Sequence, residues 1–500
     1  MNRKIKKIAI IIIWLLIWQA AAALTDNDIL LAGPLGVGKT LGTLLQTADF
    51  YKICAASMGR ILLGFGMAFV LGLLLGVLSY HFPPVKEIAE PVLNVMKSIP
   101  VASFVVLLLI WQGAGNLSVW ISFFVVFPNI CVSTRSGLMA ADVKLKEMAA
   151  VFGIKGIRKG IYIYRPTLIS FLLSATEISI GMAFKSGVAA EVIGVPAFSI
   201  GERIYTSKIY LDTPGLFAWT IALICLSCCV EKIILKGMSL LMKPLKLRTS
   251  GRRSDCLHIE REEIIAEEIK EAKAESEKEA DTGAEAETVG FLRLSHISKS
   301  FAGKSVLCDV SKELEKGGCY LLMGPSGSGK TTLLRILAGL ETADDGTVEL
   351  SQAAHNEGRN DREHRKEAGL KTAYLFQEDR LLENELTITN IMLTVKGAKE
   401  AQVQEAVSDI LPKSCMQETA AALSGGMKRR CALARTLFYK WKDKEVICLL
   451  DEPFAGLDEE TKKKTAGFIR KYLNGRTLIV ATHDMQDAEL LGGSIWRIAR

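Results

Sequence analysis

Four long uncharged runs constrain this chain more than any other feature. Ile8–Thr25, Ile61–Val85, Ser98–Thr134 and Thr213–Val230 hold no Asp, Glu, Lys or Arg over 18, 25, 37 and 18 residues, and no run that long follows Glu231. A helix needs roughly 20 mostly apolar residues to cross a bilayer. The first half therefore reads as membrane and the second as soluble protein, and 500 residues are too many for one ordinary core. The formal charge of +7, from 61 basic and 54 acidic side chains, is spread thinly and does not point to nucleic acid. Cys225, Cys228 and Cys229 fall inside an apolar run, where cysteine behaves as a small hydrophobe.

Six spans are expected, at about 8–24, 55–79, 90–111, 118–138, 167–190 and 214–235, with the 37-residue run dividing at Gly113-Ala-Gly-Asn116. A basic start before an apolar stretch also fits a secretory signal. The five further spans favour a signal anchor instead. Lys and Arg are retained on the cytoplasmic side. They concentrate at Arg3–Lys7, at 140–166 and after the last span, so the N-terminus, that loop and everything beyond residue 235 are expected in the cytoplasm of a multi-pass plasma-membrane protein in contact with lipid. Gly33–Thr40 satisfies the pattern GxxxxGK[ST] but comes out on the outer side, without a strand before it or an acidic strand end to meet it. It reads as a Gly-rich turn into the second span. Within the fifth span, Glu177 and Lys185 stand about 12 Å apart along the helix, too far to pair. The expectation is that Lys185 snorkels outward and Glu177 hydrogen-bonds a neighbouring helix, ahead of a role in a solute path.

Between Glu260 and Glu287 there are 12 acidic and 4 basic residues and no apolar stripe, so 251–289 reads as a solvated acidic linker. From residue 290 short apolar runs end in Gly-rich or acidic residues, the pattern of an α/β domain. The strand Cys319–Met323 leads directly into Gly324-Pro325-Ser326-Gly327-Ser328-Gly329-Lys330-Thr331-Thr332 and a helix. Here the glycines let backbone N–H groups wrap phosphates, Lys330 reaches the β and γ phosphates of ATP, and the Thr331 hydroxyl holds Mg²⁺. A second strand, Val446–Leu450, ends in Asp451-Glu452-Pro453. Asp451 suits the Mg²⁺ shell, and Glu452 stands where a carboxylate polarises an attacking water. The strand Thr477–Thr482 delivers His483 to the same edge.

Two sets of residues carry a family resemblance. In the first half, Glu147-Met-Ala149-Ala150-Val-Phe-Gly153, followed by Ile163-Tyr-Arg165-Pro166, resembles the EAA motif of binding-protein-dependent ABC importer permeases, a short helix that docks into the ATPase. Small alanines permit close approach and Gly153 lets the chain turn; Arg165 departs from the usual Leu. Ser57-Met-Gly-Arg60, Ser98–Ala102, Ile110–Gly113 and Ala190-Glu191-Val-Ile-Gly194 look like the nitrate, sulfonate and taurine branch of those permeases. In the second half, Leu423-Ser424-Gly425-Gly426 with Gln377, Asp458 and His483 in family order resembles the ABC transporter ATPase.

The resemblance implies that Phe301 stacks on adenine and that Gln377 is the Q-loop residue, near Mg²⁺ with Thr331 and Asp451. It implies that Glu452 is the catalytic base, Asp458 the D-loop residue and His483 the switch histidine. Ser424, Gly425 and Gly426 would contact the ATP of a second copy. Phe301, where Tyr is common, also fits a strand core, and Met427 replaces the usual Gln. The expectation is an α-helical six-span membrane domain (1–250) followed by an α/β P-loop ABC nucleotide-binding domain (290–500). It would act as a homodimeric importer of a small solute, fed by an external substrate-binding protein. A half-exporter and a membrane-anchored ABC ATPase are the alternatives.

Overall fold

The computed structural model describes residues 3–25, 27, 29–243, 291–350, 370–395 and 398–498. The expected acidic linker lies outside the described residues. The chain forms two compact units, Met1–Ala141 with Tyr164–Met242, and Asp142–Ile163 with Lys243–Arg500.

The helices of the first half are α1 (Arg3–Thr25), α2 (Pro34–Leu44), α3 (Ala48–His81), α4 (Pro83–Ser98), α5 (Val101–Met139), α6 (Val143–Val151), α7 (Gly156–Lys159), α8 (Arg165–Gly194), α9 (Ile200–Ile209) and α10 (Thr213–Leu240). Helices α6 and α7 belong to the second unit. Among the described residues, four helical stretches are long and apolar enough to cross a membrane: Ala48–His81, Val101–Met139, Gly156–Gly194 and Thr213–Leu240. Ile12–Thr25 is a shorter apolar helix.

Three expectations change. The span expected at 90–111 is not one helix, because α4 ends at Ser98 and α5 begins at Val101. Pro100 is the cause: it disfavours helical backbone at the residue before it, and Ile99 is extended at φ −70°, ψ 128°. The division expected at Gly113 is met: its φ of 71° and ψ of 173° are non-helical, so α5 is two helices joined across a kink. Gly33–Thr40 is not a turn. Pro34 starts a helix, Val37 is buried and Lys39 is exposed, so the stretch has no loop to wrap a phosphate. Glu177 and Lys185 are both exposed, and among the described residues Glu177 makes no hydrogen bond to a neighbouring helix.

Helix α5 packs against both α3 and α8. Gly64, Ala68, Gly72 and Gly76 recur every fourth residue on α3, and a Cβ at Gly64 would lie 2.1 Å from the Val119 carbonyl oxygen of α5. Small residues at that spacing let two membrane helices approach closely. A polar knot ties α3, α8 and α9. Glu191 is fully buried and accepts hydrogen bonds from Ser57 Oγ (2.8 Å), from Arg60 Nη2 (3.0 Å) and Nε (3.2 Å), and from Gly201 N (3.3 Å). Ser57 Oγ in turn accepts from Ile200 N at 2.9 Å.

The second unit is built on two sheets. An antiparallel one has the order β2-β1-β4, from β1 (Leu292–Phe301), β2 (Lys304–Leu314) and β4 (Asp345–Leu350). A parallel one has the order β5-β6-β7-β3-β8, from β3 (Cys319–Met323), β5 (Thr372–Leu375), β6 (Ile447–Asp451), β7 (Leu478–Thr482) and β8 (Ser494–Arg497). Strands β5, β6 and β7 are buried throughout, as the near-continuous apolar runs of a covered parallel sheet require. The helices used below are α11 (Lys330–Leu337), α12 (Thr387–Met392), α13 (Glu400–Val407), α14 (Gly425–Phe438), α15 (Glu459–Leu473) and α16 (Met485–Leu491). Met148, Ala149, Phe152, Ile154, Tyr162 and Ile163 join the apolar core of this unit.

Candidate active site

In a parallel α/β sheet, ligands bind beyond the carboxyl ends of the strands. The chain places its candidate residues there: the Gly324–Thr331 loop after β3, Phe376 and Gln377 after β5, Asp451 at the end of β6 with Glu452 next, and His483 after β7.

Gly327 (φ 79°) and Gly329 (φ 90°) hold left-handed backbone, and a Cβ at Gly329 would lie 2.5 Å from Leu307 Cδ2. Lys330 is buried, and its Nζ donates to the carbonyls of Gly324 (2.7 Å) and Pro325 (3.0 Å), folding the ammonium back over the loop. Ser328 Oγ is buried without a hydrogen-bond partner among the described residues. A cradle closed to Cβ atoms, a cation above it and an orphaned hydroxyl fit a polyphosphate.

Asp451 is buried, and burial pushes its carboxyl above the usual carboxylate range, against the hydrogen bond of the Thr331 hydroxyl. Tyr374 Oη donates to Asp451 Oδ2 at 3.4 Å. The oxygens of Asp451 and Thr331 are hard donors of the kind Mg²⁺ takes, and an approaching cation would favour the ionised carboxylate. Glu452 has φ 50°, a left-handed conformation costly outside glycine. His483 Nδ1 lies 3.4 Å from Glu452 Oε1.

Phe301 closes β1 with its ring exposed, so it is not strand core, and Lys299 Nζ stands 5.3 Å from the ring centroid. Gln377 is exposed beyond β5. Ser424 caps α14 by accepting from Met427 N, leaving Gly425 exposed. Asp458 caps α15, its carboxylate accepting from the N and Oγ1 of Thr461 at 2.9 Å each.

The expected docking helix is α6, capped by Asp142 and ended by Gly153 at φ 61°. Ala149 is fully buried whereas Ala150 is exposed, so only one of the two alanines permits close approach. Glu147 accepts from Arg335 Nη2 (2.9 Å) and Nη1 (3.1 Å) and from Arg380 Nη1 (2.6 Å). These guanidinium hydrogen bonds, Arg335 first, hold its carboxyl down at about 2 against partial burial. Phe152 packs edge-on against Tyr439, with ring centroids 5.3 Å apart.

Sequence reading missed the partners. Arg335 and Arg380 come from α11 and from the loop after Gln377, and Arg429 lies on α14 under the strand ends. The only local signal for Arg429 was the basic Lys428-Arg429-Arg430 run after Met427.

A phosphate loop, an acidic strand end and a histidine on the adjoining strand, all on one edge of a parallel sheet, define a P-loop ATPase. The ABC transporter family matches residues 307–455, and the binding-protein-dependent transport system inner membrane component family matches 68–234. The aliphatic sulfonates import ATP-binding protein SsuB 1 of Shouchella clausii is 35% identical over 209 residues, covering 41% of this chain and 76% of that protein. The sulfate/thiosulfate import ATP-binding protein CysA of Xanthomonas campestris pv. campestris is 34% identical over 209 residues, covering 39% and 58%. A bacterial ABC transporter cassette solved as a dimer is 25% identical, with a TM-score of 0.35, over 41% of this chain and 94% of that one. The chain belongs to the ABC transporter family, and it joins an importer-type permease and its ATPase in one polypeptide.

Proposed function

We propose that two copies of this chain form an importer that spends ATP to move a small solute, of the nitrate, sulfonate or taurine kind, from an external binding protein into the cytoplasm. The observation that carries the reading is Glu147. A carboxylate from the loop between α5 and α8 is ion-paired to Arg335 and Arg380 of the ATPase unit, Arg380 following Gln377 by three residues. That is the joint an importer needs between nucleotide state and permease. The names of the SsuB and CysA relatives support import, and sulfonate and sulfate as the solute class.

In this reading Lys330 and the Gly324–Thr331 amides bind the phosphates and Phe301 offers its exposed ring to adenine. Glu452 takes a proton from the attacking water, with His483 beside it. Mg²⁺, when bound, would be held by Thr331, Asp451 and Gln377 and would neutralise phosphate charge. Ser424, Gly425 and Gly426 complete the site of the partner copy across a closed two-fold pair, and Asp458 lies at that junction. The permease is read with six spans, α1 supplying the first, and with the ATPase on the cytoplasmic side.

The test is ATPase activity of the full chain in proteoliposomes, with a purified solute-binding protein on the outer face and taurine, sulfate and nitrate as probes. Stimulation by the loaded binding protein with uptake of the same probe is expected. Stimulation by a compound added on the ATPase side and moved outward would replace import with export.

A further inference from the structure

Among the described residues of the ATPase unit Arg429 has the densest set of hydrogen-bond partners, and no role assigned above uses it. It is buried on α14, five residues after Ser424. Its Nη1 donates to the carbonyls of Phe376 (2.6 Å) and Gln377 (3.3 Å) and to Asp379 Oδ1 (3.2 Å). Its Nη2 donates to the Glu452 carbonyl at 2.9 Å and to the Asp451 carbonyl. One planar fork therefore binds the backbone after β5 to the backbone after β6. Burying a guanidinium costs several kcal/mol unless it is hydrogen-bonded, so a residue needed only to fill space would be apolar. Here Nη1 and Nη2 are bonded, while Nε has no partner among the described residues.

Two features give those bonds a purpose. Glu452 holds a left-handed φ of 50°, and such a conformation persists only where the surroundings over-determine it. Arg429 fixes the carbonyls on both sides of that strained link. On its other side, the Phe376 ring carries the Arg380 guanidinium at 3.8 Å, and Arg380 donates to Glu147. The contacts run without a gap from Glu147 through Arg380, Phe376 and Arg429 to Glu452.

We infer that Arg429 is a positioning residue. It holds Glu452 in its catalytic conformation and makes that conformation depend on the seating of Glu147. This rests on the reading of Glu452 as base. Contiguity alone does not establish coupling, whereas a double-mutant cycle measures it.

The experiment measures kcat and KM for ATP with the full chain in proteoliposomes, for Arg429→Gln, Arg429→Lys, Glu147→Gln, the Arg429→Gln/Glu147→Gln double variant and Glu452→Gln. Arg429→Gln should lower kcat at least tenfold with KM for ATP within about threefold of the parent, and Arg429→Lys should recover part of the loss. Glu147→Gln should change kcat in the parent and leave it nearly unchanged when Arg429 is already Gln. A kcat within twofold of the parent in Arg429→Gln, or a rise in KM that accounts for the loss, overturns the positioning role. Multiplicative effects, or a silent Glu147→Gln in the parent, overturn the link. If both Arg429 variants fail to fold, the residue is structural and the inference falls. Glu452→Gln separates the two readings, since full turnover in that variant defeats the base assignment itself.

Discussion

His483 Nδ1 and Glu452 Oε1 lie 3.4 Å apart, although the two residues follow different strands, β7 and β6. The strands are hydrogen-bonded neighbours, so their carboxyl ends bring the pair together without help from any loop. Replacing Glu452 by Gln keeps the shape and removes the proposed base. Turnover should fall well beyond tenfold, about 1.4 kcal/mol of barrier, while ATP binding persists; a smaller loss in single-turnover assays would assign the base elsewhere.

The two Gly-Lys-Thr stretches should behave differently. Lys330 follows a strand and folds over a glycine cradle, whereas Lys39 is an exposed residue of α2. Lys330→Ala should abolish hydrolysis and Lys39→Ala should leave it near the parent rate. Loss of fluorescent nucleotide binding in the second variant would contradict the placement of the site.

The docking ion pairs should show a defined pH dependence. Glu147 is held at about 2 against an ordinary 4.5, so its contribution to stability is complete above about 4.5 and is lost as pH falls through about 2. Denaturant unfolding of the parent and of Glu147→Gln should therefore differ most above pH 4.5 and converge below it. A difference that grew on acidification would reverse the assignment.

In the permease, Arg60→Met leaves Glu191 buried without its cation, and a broken buried pair costs about 3–5 kcal/mol. The single variant should lower the thermal midpoint more than Arg60→Met combined with Glu191→Leu. Equal losses would mean that the knot is held by Ser57 and the backbone rather than by charge.

Homodimer action predicts complementation. Lys330→Ala and Ser424→Arg should each be inactive, and mixing them should restore part of the ATPase activity, because one of the two heterodimer sites then carries neither lesion. Full specific activity in a preparation shown by light scattering to be monomeric would exclude the pair.

Much of this site was legible in the sequence because its chemistry is written in short spacings that sit on strand ends. Gly324–Thr331 and Asp451-Glu452 each declare a strand, a turn and a donor set within a few residues. Glu191 and Arg60 were both noticed but not joined, since 131 residues separate them and only the packing of α3 on α8 brings them into contact. Arg429 was hidden for the same reason, its acceptors lying on two distant strand ends. The Pro100 break was visible locally, but the 37-residue uncharged run outweighed it. The exposure of Glu177 was not visible at all, because periodicity does not say which face of a membrane helix lacks a neighbour.

The chain passes between its two units at three points, after Ala141, after Ile163 and after Met242. Where a permease and an ATPase are separate molecules, each docking event loses translational and rotational freedom, estimated at about 4–15 kcal/mol at a standard 1 M concentration. Here the two are already tethered, and each seating of Glu147 between Arg335 and Arg380 is a unimolecular event. In the proposed import cycle the joint can therefore be weak enough to release without its halves drifting apart. The ratio of permease to ATPase is set by translation rather than by assembly.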